Sequence, residues 1–290
     1  MKIAIIGAGS VGTNLHHAFE LKGIHTELVH GRPLTADPEA LKAIPQADVY
    51  IYTIADHALC EVVTKVDAPK ALHIHTSGSM PLDVVFGKDK PHAGVMYFFQ
   101  SFSRHALIDD WSNIPCFYEG RSIDDVAAIC TLAQNLTSHV YDTTQHDRER
   151  VHVAGVFANN YVNLMYRMAK EVLKDTSVPF EVLFPLIDLT AAKVHTHDPR
   201  EVQTGPASRA DIPVIMHHAS VLFGLDSEQF TTQDLTYSYL TLAQAIYNSK
   251  HGNPEDGVSF IDLLTEALEE LNGKRQNHPI PARIHRKPRE

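Results

Sequence analysis

At 290 residues, with 44% hydrophobic and 21% charged residues and a formal net charge of −10, the chain is long enough for two domains and too apolar to be largely disordered. The acidic balance argues against general nucleic-acid binding, and no apolar run approaches the ~18 residues of a membrane-spanning helix. Three widely spaced cysteines (Cys60, Cys116, Cys130) exclude a disulfide framework and a cysteine-based zinc site. The N-terminus lacks the apolar stretch and cleavage site of a secretory signal, so a cytoplasmic protein is expected.

Taken in chain order, the first half alternates short apolar runs with helical spacing. Strands are expected at 2–6, 26–29, 48–54, 71–75, 94–98, 115–118 and 139–141. Helices are expected at 11–22, from Asp56 as N-cap to Val66, and at 124–136. Such alternation implies an α/β Rossmann-like domain, with a mostly parallel sheet covered on both faces. From about Gln145 only helical patterns follow, at 150–174, 180–196, 212–223, 233–250 and 260–271. The reading is a dinucleotide-binding domain over 1–145 and an all-α domain over 146–272 that binds substrate and dimerises. The tail over 273–290 carries six Lys/Arg against Glu290, hence +5, which leaves −15 on residues 1–272. It is either a solvated arm or one that docks on an acidic face.

Gly7-Ala8-Gly9-Ser10-Val11-Gly12 matches GxGxxG between a strand and a helix. Gly7 permits the turn, Gly9 lets a pyrophosphate reach the backbone, and Gly12 lets helix and sheet pack closely. The helix start, at Ser10 and Val11, supplies free amides. At the tip of the second strand, Val29-His30-Gly31-Arg32 has no carboxylate for a ribose hydroxyl. Arg32 can pair with a 2′-phosphate instead, which favours NADP(H), or it is a solvated loop arginine. Ile54 and Ala55, after the third strand, are expected to line the cofactor. Ser77, in Ser77-Gly78-Ser79 after the fourth, is expected near its nicotinamide end.

On the helix over 150–174, His152, Asn159, Asn163 and Tyr166 fall within an arc of about 60° at 100° per residue. A polar stripe on an otherwise apolar, buried helix lines a substrate cavity or bonds to neighbouring helices. His152 is the expected proton donor, because histidine titrates near neutrality unaided, with Asn159 and Asn163 orienting substrate. Lys193, which shares a helix face with Thr190, is the alternative donor, or a solvated residue at a helix end. Arg209 either holds a substrate carboxylate or pairs with Asp211 and fixes the next helix start. The 19 histidines include His73/His75 on one strand face, but no zinc-binding pattern occurs, so no metal is expected.

Six stretches carry a family resemblance: GAGSVG (7–12), HTSGS (75–79), GVMYFFQSFS (94–103), HVAGVFANNYVN (152–163), LFPLIDLTAAK (183–193) and QTGPASRAD (203–211). The chain resembles a bacterial family with a Rossmann-like N-terminal domain and a helical C-terminal domain of unknown function, 2520, whose members are labelled NADP oxidoreductases. Phe98 stands where many relatives carry proline. The resemblance implies a helical domain of the 6-phosphogluconate dehydrogenase C-terminal type and a cofactor domain similar to those of pyrroline-carboxylate reductases. The expectation is an NADP(H)-dependent oxidoreductase that reduces a C=O or C=N bond of a small polar, anionic metabolite. The alternative is a module that senses NADP(H) without turnover; a metal-dependent hydrolase is a distant third. A homodimer through the helical domain is expected from the apolar excess on the fourth helix (Leu235, Tyr237, Tyr239, Leu240, Leu242, Ile246, Tyr247).

Overall fold

A computed structural model describes residues 1–30, 44–252, 259–260 and 262–263. Arg32, the expected helix over 260–271 taken as a whole, and the basic tail therefore lie outside the described residues. The chain divides into two compact units, Met1–Val162 and Asn163–Glu290. The division falls inside a helical run rather than at the strand–helix junction near Gln145.

The first unit is built on a seven-stranded sheet in the order β2-β1-β3-β4-β5-β6-β7. Its strands are β1 (Ile3–Ile6), β2 (Thr26–Val29), β3 (Val49–Tyr52), β4 (Leu72–His75), β5 (Ala93–Phe98), β6 (Cys116–Gly120) and β7 (Val140–Asp142). β1 to β5 run parallel, with Ile6 opposite both Val29 and Tyr52, and Tyr52 opposite His75. β6 pairs antiparallel with β5, setting Val95 opposite Glu119, and β7 follows β6 in parallel.

Side chains alternate between the two faces with the period of two expected of a pleated strand. Ile3, Ile5, Val49, Ile51, Ile74 and Met96 pack on one face with Leu15 and Phe19 of α1 (Ser10–Leu21) and Ile129 and Leu132 of α4 (Ile123–Gln134). Ala4, Ile6, Tyr50, Tyr52 and Val95 pack on the other with Leu59 and Val63 of α2 (Asp56–Lys65) and Val85 and Phe86 of α3 (Leu82–Phe86). Both faces are covered by helices, which is why these strands read as continuous apolar runs. Phe98 is buried and meets Trp111 edge to face at 4.9 Å.

Capping explains three of the helix starts that differ from the pattern. Ala55 is the N-cap of α2, so Asp56 is its first helical residue and sets its charge on the positive end of the helix. Ser122 caps α4 in a reciprocal box with Asp125. The long helix starts at Gln145 rather than Arg150, because Thr144 accepts the Asp147 amide.

That long helix is not uniform. α5 (Gln145–Gly155) passes into a π-helical stretch, Val156–Tyr161, and then into α6 (Val162–Val172). A π turn takes an extra residue, so a 3.6-residue extrapolation does not carry across it. The single 3.6-residue period assumed for the polar stripe therefore does not run through Val156–Tyr161. The helix is not a buried one either. Arg148 is the buried residue of α5 and Glu171 that of α6, and the π stretch has none.

In the second unit, α7 (Phe184–Lys193) follows a short 3₁₀ turn and has no buried residue. α8 (Ile212–Phe223) and α9 (Thr232–His251) form a small core from Ile215, Ala219, Leu240, Ala243 and Phe260. Asp211 caps α8 and Thr231 caps α9. Among the described residues no helix is long and apolar enough to cross a membrane.

Candidate functional site

The carboxyl edge of β1, β3, β4 and β5 carries three linked features, all within the first unit. The first is a glycine cradle. Gly7 leaves β1 at φ +122°, a conformation open to glycine at little cost, and a Cβ there would lie 2.7 Å from the Thr53 carbonyl oxygen. A Cβ on Gly12 would lie 1.8 Å from the Gly7 oxygen and 2.4 Å from Thr53 Oγ1. Thr53 closes this corner by donating to the Gly7 carbonyl at 2.7 Å. Gly9 differs: its absent Cβ faces nothing closer than 4.0 Å. Gly9 is also the N-cap of α1, with no side-chain cap and no acidic residue in the first turn. The ladder begins with Thr13 N–H donating to Gly9 O, so the amides of Ser10, Val11 and Gly12 precede it. Open space beside free amides at a positive helix end suits a pyrophosphate. His30 is exposed at the tip of β2, Ile54 is half-buried after β3, and Ala55 opens α2.

The second feature is the loop that follows β4. Ser77 donates its amide to His75 Nδ1 (3.2 Å), while its hydroxyl accepts from the amides of Ser79 (3.2 Å) and Met80 (3.1 Å). Arg148, fully buried at the start of α5, donates to the Met80 carbonyl at 2.9 Å and pairs with Glu119 of β6. The loop is thus tied at both ends. Because His75 Nδ1 accepts, its proton sits on Nε2, and that atom and Arg148 Nε are buried without a partner among the described residues. Burial, aided by the Arg148 charge, depresses His75 to about 3. Burial likewise lowers His73 to about 4; its Nδ1 meets the Tyr52 hydroxyl at 2.9 Å and its Nε2 the Ala68 carbonyl at 2.9 Å. The two histidines share a strand face as expected but are bonded separately. Among the described residues no cluster of three or more metal-ligating groups exists.

The third feature is a cavity of about 310 Å³ beside Tyr97 at the end of β5. It is lined by Tyr97, Phe99, Gln100 and Ser101 and, from the helix, His152, Gly155, Asn159 and Asn160. Tyr97 Oη lies 2.9 Å from His152 Nδ1, with the rings edge to face at 5.8 Å. Burial raises the Tyr97 hydroxyl to about 12. The π stretch begins just after Gly155, and its wider turn brings both Asn159 and Asn160 to the cavity wall.

The structure brings His152 and Asn159 to one cavity, and Gly7, Gly9, Ser10, Val11, Gly12, Ile54, Ala55 and Ser77 to one sheet edge. Asn163, Thr190, Lys193 and Arg209 belong to the second unit. There Asn163 is exposed, Thr190 donates back to the Leu186 carbonyl at 2.8 Å, and Lys193 is half-buried in the last turn of α7. The alternative pairing of Arg209 with Asp211 is not made among the described residues. Arg209 is exposed, and Asp211 accepts the Val214 amide instead. A separate, apolar cavity of about 300 Å³ lies among Met165, Met168, Val172, Leu222, Leu235 and Leu242. Sequence reasoning missed Thr53, Tyr97, Arg148 and Asn160. Tyr97 lies inside the quoted stretch GVMYFFQSFS, and a tyrosine at the carboxyl end of a predicted sheet strand was the available signal.

Residues 114–246 match the family described as a domain of unknown function, DUF2520. A Bacteroides fragilis protein described as a "putative NADP oxidoreductase" is 34% identical, with a TM-score of 0.74 over 86% of this chain and 98% of that one. An imine reductase from Streptomyces aurantiacus shares the fold at 13% identity (TM-score 0.54; 91% and 99% covered). So does a reductive aminase from Aspergillus terreus, solved with NADPH, at 13% identity (TM-score 0.50; 96% of both chains). No curated protein matches the sequence.

Proposed function

The chain belongs to the DUF2520 family, and on that premise we propose that it is an NADP(H)-dependent oxidoreductase that reduces a C=O or C=N bond of a small polar metabolite. One observation carries the reading: the sheet edge that holds the glycine cradle also holds a cavity with a histidine in its wall. Nicotinamide, when bound, supplies the hydride. The chain's part is to place it and to provide a proton. Gly9 and the first-turn amides of α1 take the pyrophosphate; Ile54, Ala55 and the Ser77 loop flank the rest of the dinucleotide. His152 gives its proton to the substrate oxygen or nitrogen as that atom gains an electron pair from the breaking double bond. Asn159 orients the same atom. Lys193 is the alternative donor, with Thr190 and Asn163 as contributors from the helical unit, and exposed Arg209 is the candidate for an anionic substituent.

NADP(H) is preferred to NAD(H) on the strength of Arg32 and the missing carboxylate at the β2 tip, and the B. fragilis relative is described in the same terms. Exposed Phe157, Phe184, Leu186, Leu189 and Leu242 support a homodimer through the helical segments. Light scattering at micromolar concentration should give twice the chain mass; a monomer would refute the dimer. Free cysteines support a reducing, cytoplasmic setting.

The test is NADPH consumption against a panel of ketones, with and without a primary amine. Substrate-dependent oxidation should fall about 100-fold in His152→Ala while NADPH affinity stays. Unchanged turnover in His152→Ala with a dead Lys193→Ala would reverse the two roles. NADPH binding without consumption across the panel would favour a sensing module.

A further inference from the structure

The Tyr97–His152 pair is more constrained than a pair of cavity-lining side chains needs to be. Its hydrogen bond spans 2.9 Å between a strand end and a helix. The rings are held edge to face at 62°. The loop after β4 is pressed against both: a Cβ on Gly78 would lie 2.7 Å from His152 Nδ1 and 2.8 Å from Tyr97 Cζ. Gly155, one turn along from His152, is packed in the same way, its absent Cβ 2.5 Å from the Phe99 ring. The two glycines therefore let a loop and a ring close around the pair.

We propose that Tyr97 is the positioning residue of this site: its hydroxyl engages His152 Nδ1, sets the neutral ring in the Nε2–H tautomer, and leaves the Nε2 edge for the substrate. The inference rests on the reading of His152 as proton donor and adds to it the atom from which the proton leaves. With its hydroxyl raised to about 12 by burial, Tyr97 stays protonated across the working range and donates whenever Nδ1 is bare. When the ring carries two protons, the same hydroxyl oxygen accepts from Nδ1–H. Loss of the Nε2 proton to substrate then leaves a neutral ring still bonded to Tyr97 through Nδ1–H. Tyr97 holds the ring through this exchange and never ionises. His152 Nε2 makes no hydrogen bond among the described residues, so the free edge is the one that can act.

Long-range ¹⁵N–¹H NMR of the histidine rings reads the tautomer without a substrate. The His152 resonance is assigned by its loss in His152→Asn, and spectra are taken at alkaline pH, where histidine rings are neutral. Wild type should show the Nε2–H form in excess. In Tyr97→Phe, which keeps the ring, the Nε2–H to Nδ1–H ratio should fall about threefold, because a phenol donates to a bare ring nitrogen more strongly than it accepts from a ring N–H, so the Nε2–H form loses the stronger of the two bonds. Gly78→Ala, which forces the ring away from the hydroxyl, should move it the same way. A wild-type ring in the Nδ1–H form, or a ratio unchanged in Tyr97→Phe, overturns the proposal. Failure of wild type to bind NADPH would instead refute the oxidoreductase reading and leave the tautomer result standing.

Discussion

Acid should unfold this protein early, and the cause is two histidines in the sheet. His73 and His75 are fully buried on β4, and burial lowers them to about 4 and about 3. In the unfolded chain each returns to about 6.5. Their folded values are depressed, so the unfolded state binds more protons from roughly pH 6.5 down to pH 4 for His73 and pH 3 for His75, and stability falls as pH drops through that window. At pH 5 each ring must shed on folding a proton that the unfolded chain holds about 1.5 pH units below its pKa. The cost is about 2 kcal/mol per ring and about 4 for the pair. Against a typical total of about 5–15 kcal/mol, that is a large share. Carboxylates add little here, being ionised at pH 5 in both states. Urea unfolding at pH 7.5 and pH 5.0 should show the loss as a lower midpoint with an unchanged slope. His75→Asn, whose Oδ1 can take the place of Nδ1 and accept the Ser77 amide, should retain only about half of the pH dependence. Equal wild-type stability at the two pH values would refute the reasoning, and so would an undiminished drop in His75→Asn.

Two substitutions probe the frame around the site. Gly12→Ala places a Cβ 1.8 Å from a backbone oxygen, so α1 must move off the sheet. Overpacking of this kind costs about 1–3 kcal/mol, and NADPH affinity should drop at least about tenfold, both readable by urea unfolding and cofactor titration. Arg148→Met removes the buried partner of Glu119 and the tie to Met80. It should lower stability by about 3 kcal/mol in denaturant unfolding, the scale of breaking a buried ion pair. A loss under about 0.5 kcal/mol would show the pair to be dispensable.

What could be read in the sequence follows the reach of local signals. The Gly7–Gly12 loop and the apolar runs of β1 to β5 were legible because a tight turn and a doubly covered strand each leave a mark within a few residues. The reversal of β6 and β7 was not. Strand direction depends on how the segment around Trp111 folds back, and neither strand differs in composition from a parallel one. The π stretch defeated the helical wheel, because one extra residue per turn is invisible to a 3.6-residue period. Arg148 sits in the charged run Asp147-Arg148-Glu149-Arg150, which reads as a solvated face, yet its guanidinium is the buried group of α5. Tyr97 was hidden for the opposite reason: it reads as one more apolar residue of β5, and its partner lies 55 residues away. Single residues with distant partners are thus what a local reading of this chain leaves out, and the Tyr97–His152 pair is among them.

The most direct test is a fluorescence titration of NADPH and NADH into wild type, Arg32→Ala and Gly12→Ala. Saturable one-to-one binding of NADPH, tighter than that of NADH, with the difference erased in Arg32→Ala and affinity lost in Gly12→Ala, is the predicted result. No saturable binding of NADPH to wild type, or NADH binding as tightly as NADPH, would contradict the assignment of this chain as an NADP(H)-dependent oxidoreductase.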